Sequence, residues 1–161
     1  MKEIALTNGG VTIVDDVDYE VLSQSSWYRQ KARNTWYACT HATKDGRPTL
    51  VRMHTVILPG CVTVDHWDGD GLNNRRSNLR PATLSQNQQN SIKPRSNTSG
   101  FKGVNFVKRS GRWQANITVD GKARYLGTFD TKEEAARTYD EAAKEFHGEF
   151  ARQNFTEEPV R

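Results

Sequence analysis

From Arg112 to Val119 the chain alternates polar and apolar residues without a break. Trp113, Ala115, Ile117 and Val119 fall on one side of such a strand, and Arg112, Gln114, Asn116 and Thr118 fall on the other, because successive side chains of a strand point to opposite faces. A period of two sustained that long demands an apolar cover on one face only. The next residues supply it. Asp120-Gly121 is a two-residue hairpin signal leading into another strand-like run, and Thr131 with Glu134 three residues on makes a capping box. Ala135, Tyr139, Ala142 and Phe146 share a helical face, and Gly148 stands where a helix commonly stops. Together with the run ahead of Ser110-Gly111, residues 99–155 read as a three-stranded antiparallel sheet packed on one helix.

The uncovered face is polar and its surroundings are basic. Residues 93–125 carry eight Lys/Arg against one acid, while 130–147 carry six acids against three Lys/Arg. A merely solvated face has no reason to segregate sign in this way. A narrow ribbon fits the major groove, where Arg, Gln and Asn read base edges and Lys meets phosphates. Lys102, Lys108, Arg109, Lys122 and Arg124 lie next to that face and are candidate DNA contacts.

This region resembles the ethylene-response-factor (APETALA-type) DNA-binding domain. The markers are Phe101-Lys102-Gly103-Val104, Trp113, Tyr125-Leu126-Gly127-Thr128-Phe129, the run Glu134-Ala135-Ala136-Arg137-Thr138-Tyr139-Asp140, and Asn154-Phe155. The resemblance implies DNA contact through the sheet by Lys102, Asn105, Arg112, Gln114, Asn116, Thr118 and Tyr125. Asn105 and Asn116 stand where that family usually has Arg and Glu. Groove binding survives the comparison, and the plant target sequence does not.

Residues 53–90 carry a second constellation, MHTVILPGCVTVDHWDGDGLNNRRSNLRPATLSQNQQN. Hydrolysing a phosphodiester requires a base for water, stabilisation of the phosphorane charge and help for the leaving oxygen. Asp65 and His66 are adjacent, so on a regular strand their side chains diverge, and a twist or bulge is needed to aim both at one phosphate. Thr83-Leu84-Ser85-Gln86 is a further capping box, which starts a short helix with Asn87 in its first turns and Asn90 near the same face. An isolated Asp-His pair is usually an ordinary turn pair; the ordered set Asp65, His66, Asn78 and Asn87 reverses that reading.

The segment resembles the HNH nuclease motif in the form found in phage and intron-encoded homing endonucleases, with Asn87 in the third signature position. The resemblance implies His66 as general base, its pKa near the ordinary 6.5, and Asp65 and Asn87 as ligands of Mg²⁺ (or Mn²⁺), hard oxygen donors that leave other positions to water and phosphate. Asn78 bridges the loop to the strands. Arg75, Arg76 and Arg80 are candidates to hold phosphates. Thr55 follows His54 where that family usually has Arg, so His54 is assigned a structural role. His41 and His147 have no companions, and Trp67 is assigned to packing.

The expected fold class is therefore α+β: a β-rich segment over 1–50 with a hairpin at Asp45-Gly46, a ββα-metal HNH motif over 51–92, a linker over 93–98, and the sheet-and-helix domain over 99–155. A hydrophobic fraction of 35% and a mean hydropathy of −0.81 argue against one large core. Cys39 and Cys61 form no CxxC pair, which points to reduced packing residues rather than a disulfide or thiolate zinc site. No run approaches the length of a membrane span and the N-terminus lacks a secretory pattern, so the expected place is the cytoplasm of a bacterium or phage-infected host.

The function expected is a site-recognising endonuclease acting on double-stranded DNA, of the homing type, from a phage or mobile element. The alternative is a non-catalytic DNA-binding transcriptional regulator that keeps residues 51–92 as scaffold. An RNA-binding module has little support, because no stacking-platform motif is present. The oligomeric state is left open, and so is the role of residues 1–50, either support or additional DNA contact.

Overall fold

The computed structural model describes residues 1–32, 35–44, 46–93 and 97–155. The chain forms two compact units, Met1–Asn87 and Gln88–Arg161.

The first unit opens with β1 (Lys2–Ala5) and β2 (Val11–Val14), an antiparallel pair. A short helix, α1 (Asp16–Leu22), follows. It departs from the all-strand reading of this segment: Asp16 and Asp18 occupy its first turn, where acids suit the helix dipole, and Leu22 is buried. Next come β3 (Tyr28–Lys31), β4 (Trp36–Lys44) and β5 (Arg47–Arg52), a meander in the order β3-β4-β5. Asp45 of the expected hairpin turn lies outside the described residues, and the strands on either side of it pair antiparallel from Cys39↔Arg52 to Lys44↔Arg47. Helix α2 (Met53–Ile57) leads to β6 (Thr63–His66) and β7 (Leu79–Ala82), a two-stranded ribbon joined by a long loop, and then to α3 (Leu84–Gln89).

One hydrophobic cluster serves this whole unit. Ile4, Leu6, Val14, Leu22, Trp27 and Ala38 from the N-terminal segment pack with Met53, Ile57, Val64 and Leu79. The β-rich segment and the ribbon are thus two parts of one core. Ile13 also bonds into the loop between β6 and β7, taking Leu72 O through its amide and giving its carbonyl to Asn74 N.

The second unit contains β8 (Val104–Val107), β9 (Arg112–Val119) and β10 (Lys122–Phe129), ordered β10-β9-β8, and α4 (Lys132–His147), which runs into a 3₁₀ turn at Gly148–Phe150. The turn between β9 and β10 has positive φ at both Asp120 and Gly121, the geometry that matches strand twist in two-residue hairpins. Thr131 and Glu134 form both halves of the capping box. Val104, Ala115, Ala135 and Ala136 make one buried cluster, and Ile117, Val119, Tyr139, Ala142 and Ala143 make another. Phe146, expected on the buried face, lies at its rim with the Arg124 guanidinium over its ring; the covered stripe is centred instead on Ala136, Ala143 and His147.

Of the expected linker, residues 94–96 lie outside the described residues. Asn97 belongs to the second unit: its Oδ1 accepts from Gly100 N at 2.8 Å and its Nδ2 donates to Phe101 O at 2.7 Å. At the other end, the Asp140 carboxylate on α4 accepts from Asn154 N, Asn154 Nδ2 and Phe155 N. Asn154 in turn brackets the Lys102 backbone, so the Asn154-Phe155 marker closes the domain.

No described helix is long and apolar enough to cross a membrane.

Candidate nuclease site and nucleic-acid interface

His66 ends β6, and its ring is 5% exposed. His54, on α2, meets it edge-on with centroids 5.0 Å apart. The Tyr37 ring, from β4, lies 5.3 Å from His54 and 5.6 Å from His66. Tyr37 in turn presses on Gly71: a Cβ there would sit 2.5 Å from the Tyr37 ring and 2.4 Å from Trp36 O. Only a residue without a side chain allows the loop to close over the aromatic.

The proton on His66 follows from its partners. Thr12 Oγ1 donates to Leu72 O at 2.7 Å and accepts from Asn74 Nδ2 at 2.8 Å. That orients the Asn74 amide so that its Oδ1 faces His66 Nε2 at 3.3 Å. An amide oxygen only accepts, so Nε2 carries the hydrogen and the Nδ1 lone pair is the basic one. Asn74 is fully buried and Thr12 likewise.

The expectation of an unperturbed imidazole is corrected. Burial pushes the His66 pKa below its ordinary value, against the raising effects of the Asn74 hydrogen bond and the carboxylates of Asp68, Asp65 and Asp70. His54 is pushed down to about 3 by burial, His66 and Arg52, so it is neutral at physiological pH. Both shifts have the same leading cause: a charged imidazole is costly away from water.

Asp65 precedes His66 and is 3% exposed. It faces Arg80 across the ribbon, with Arg80 Nε and Nη2 each 2.8 Å from Oδ2. The β6–β7 register runs unbroken from Thr63↔Ala82 to His66↔Leu79, so the bulge invoked to turn Asp65 and His66 to one side is not present. Asn78 is buried in the loop, donating to Asp68 Oδ1 at 2.9 Å and Asn73 O at 2.8 Å and accepting from Asp68 N at 3.1 Å. Its carbonyl accepts from Trp67 N. It therefore ties the residues just after His66 to the start of β7.

Thr83 and Gln86 make the reciprocal capping bonds, and Asn87 sits half-buried in the helix they start. Asn90 lies just past its end and is buried. Among the described residues no group of three His, Cys, Asp or Glu side chains is gathered to hold a metal.

The candidate phosphate arginines differ in placement. Arg76 is drawn to Asp18 at 2.7 Å and Arg80 to Asp65, while Arg75 Nε donates to Asn73 Oδ1. Trp67, expected in packing, is 64% exposed. Its place in the loop beyond His66, outside either ribbon strand, takes it out of the core. His41 stacks on Tyr28, and His147 bonds Thr118 O through Nε2.

In the second unit, strand register sorts the candidate DNA contacts. Directly opposed residues share a face. Asn105↔Gln114↔Thr128 and Asn116↔Tyr125 form rows on the face away from α4, and Gln114 Nε2 donates to Asn116 Oδ1 at 3.1 Å. Asn105, Thr118 and Tyr125 are exposed there, as are Lys108 and Arg109 at the β8–β9 turn. Arg112 is exposed but ion-paired with Asp130 at 2.9 Å. Lys122 and Arg124 are opposite Val119 and Ile117, which puts them on the helix side. Their charge fits the basic count, and only strand pairing separates them from the polar face. Lys102 is turned inward, with Nζ donating to Gln89 O and Ser91 O, and burial pushes its pKa down to about 8.

Sequence reasoning missed Asn74, Thr12 and Tyr37. Asn74 was visible within the polar loop as one of two adjacent asparagines; Thr12 and Tyr37 carry no local signal.

Comparison with known proteins bears on both units. Residues 99–149 match the AP2 domain. An AP2-like ethylene-responsive transcription factor of Arabidopsis thaliana is 52% identical over 62 residues, 38% of this chain but only 13% of the plant protein's length. Protein 3.8 of Escherichia phage T7 is 38% identical over 95 residues, 59% of this chain and 78% of the phage protein. A protein of Acanthamoeba polyphaga mimivirus named as an uncharacterized HNH endonuclease is 33% identical over 141 residues, 84% of this chain and 70% of its own length. With an AP2 domain at its C-terminal end, the chain belongs to the family of this mimivirus protein and of phage T7 protein 3.8.

Proposed function

We propose that this protein is a metal-dependent DNA endonuclease of the HNH type that uses its AP2 domain to dock on double-stranded DNA. The observation that carries the reading is the buried His66, held in one tautomer by Asn74 beside an ion-paired Asp65, in a chain related along most of its length to a protein named HNH endonuclease. In this reading residues 51–92 cut and residues 99–155 bind.

His66 Nδ1, unprotonated and backed by a donated Nε2 hydrogen, takes the proton from water as it attacks phosphorus. Neutral His54 and Tyr37 wall the ring and limit its hydration. Arg80 fixes the direction of the Asp65 carboxylate. The donor chemistry of Asp65 and Asn87 fits a hard divalent cation, Mg²⁺ or Mn²⁺, which these two side chains would hold only weakly by themselves. When bound, the ion supplies charge stabilisation at the phosphate and leaving oxygen. Asn78 keeps the loop after His66 folded against β7. Asn105, Gln114, Asn116, Thr118 and Tyr125 are the base-reading candidates on the sheet, flanked by Lys108, Arg109 and Arg112 for phosphates.

Incubating the full chain with supercoiled plasmid and Mg²⁺ or Mn²⁺ tests this. Wild type nicks or linearises the plasmid, and His66→Ala binds equally well without cutting. Equal cleavage by both proteins removes His66 from the chemistry. Absence of cleavage by wild type across a randomised target library favours a non-catalytic DNA-binding regulator.

A further inference from the structure

Arg52 is the last residue of β5 and the N-cap of α2, two residues before His54. Strand register fixes which way its side chain goes. Tyr37 and Cys39 alternate onto one side of β4, the side on which the Tyr37 ring meets His54 and His66. Arg52 is directly opposite Cys39, and opposed residues share a face. The guanidinium accordingly stands over the Tyr37 ring, 5.3 Å from its centroid. The Arg52 carbonyl accepts from Thr55 Oγ1 at 2.7 Å, which holds the backbone where the strand turns into the helix.

This cation has no internal counter-charge. Arg80 is held by Asp65 and Arg76 by Asp18, whereas among the described residues no carboxylate is ion-paired with Arg52. Burial pushes the Tyr37 phenol above its ordinary pKa, so the ring beneath the guanidinium is neutral. Arg52 is exposed, while His54 and His66 are buried. Its field still reaches them, for Arg52 is one of the groups that hold His54 unprotonated. The carboxylates of Asp65, Asp68 and Asp70 also act on His66. A phosphate entering beside His66 therefore meets negative charge, and the phosphorane formed from it carries one charge more than the diester. A cation left unpaired before substrate arrives can meet that demand without first breaking an ion pair. A guanidinium also matches two phosphate oxygens at once.

We propose that Arg52 is a catalytic residue that donates to two non-bridging oxygens of the scissile phosphate while His66 addresses the attacking water. The inference rests on the DNA-cleaving reading and adds to it a phosphate ligand outside residues 53–90. The bond formed joins water oxygen to phosphorus, and the water proton passes to His66. The bond broken is that to the leaving oxygen, which takes a proton from solvent. Arg52 keeps its protons throughout and offsets the charge that builds on the phosphorane.

The test uses the full chain and a duplex that wild type enriches from a random pool and cuts in Mg²⁺, with the cut position mapped. Single-turnover rates are read at saturating protein, and affinities are read in chelator. Arg52→Gln should cut about 100-fold more slowly than wild type, the scale of losing one donor to a developing oxyanion. A second duplex carries a methylphosphonate at the scissile position, which removes the charge there. The affinity ratio of native to modified duplex should be larger for wild type than for Arg52→Gln. Such coupling is expected of groups in contact and not of a merely structural arginine. Arg47→Gln, the same change on the other face of β5, should match wild type in rate and in ratio.

An undiminished rate in Arg52→Gln, or a ratio equal to that of wild type, overturns the proposal and leaves the nuclease reading standing. So does an equal loss in Arg47→Gln. Failure of wild type to cut any duplex in the pool overturns the nuclease reading itself, and the proposal with it. Should Arg52→Gln lose its fold by circular dichroism, Arg52→Met keeps an unbranched stem over the Tyr37 ring. It is read by the same two measurements, with the same outcomes for and against.

Discussion

His66 Nε2 lies 3.3 Å from Asn74 Oδ1, and the other end of the same amide donates to Thr12, 62 residues earlier in the chain. The imidazole is thus oriented by a strand that sequence division assigned to a separate segment. Asn74→Ala removes the acceptor for Nε2–H and leaves Thr12 and His66 buried without that partner. Plasmid cleavage should fall by about 10- to 100-fold, the usual effect of losing a group that orients a catalytic ligand. A stability loss of about 1–3 kcal/mol in urea unfolding should accompany it. Unchanged cleavage in a folded Asn74→Ala chain would mean that the tautomer is set elsewhere.

Stability should depend on pH through His54. Its folded pKa is about 3, against an ordinary value near 6.5. The unfolded chain therefore binds a proton between those values that the folded chain refuses. Stability is full above about pH 7 and declines as pH falls through that window, at up to roughly 1.4 kcal/mol per pH unit for this one group. His66, also shifted down by burial, adds to the slope in the same direction. Urea midpoints at pH 7 and pH 5 compared for wild type and His54→Gln should show a smaller difference in the variant.

Gly71→Ala should strike the site from the side. Its Cβ would overlap both a backbone oxygen and the Tyr37 ring, and overpacking of this kind typically costs about 1–3 kcal/mol. The ring is displaced from the two histidines. Adding Tyr37→Ala relieves only the contact with the ring and leaves that with Trp36 O, so the double variant should recover part of the melting temperature and little of the cleavage.

Asp140→Ala should loosen the end of the AP2 domain. The carboxylate accepts three hydrogen bonds from Asn154 and Phe155, and a hydrogen bond to a charged group is worth about 1.5–3 kcal/mol. Hydrogen exchange should show the amides of Asn154, Phe155 and Lys102 losing protection, with those of β6 and β7 unaffected. Uniform exchange across both units would contradict the division into two cores.

The elements most legible in the sequence are those with local rules. The alternation over Arg112 to Val119, the Asp120-Gly121 turn and the Thr131 and Thr83 capping boxes all stand in the structure, because each depends on neighbours within four residues. What escaped depends on distance. Helix α1 has no long apolar period and is held by burying Leu22 in a core that draws on residues as distant as Val64 and Leu79. Lys122 and Arg124 looked like members of a basic face until pairing with Val119 and Ile117 assigned them to the other one. Tyr37 and Thr12 meet the histidine loop only through tertiary closure, and no spacing along the chain announces such a meeting.

The ion pair between Asp65 and Arg80 spans the two strands of the ribbon at a single rung. Sliding one strand by a residue would set the carboxylate against Leu79 or Pro81, neither of which can neutralise it, and would turn every side chain of that strand to the opposite side. A buried charge abandoned in this way is costly. The pair thus works as a pin through two overlapping plates: it makes misaligned pairings expensive during folding, and it guarantees that each molecule reaching the native state carries His66 at the same height above the loop.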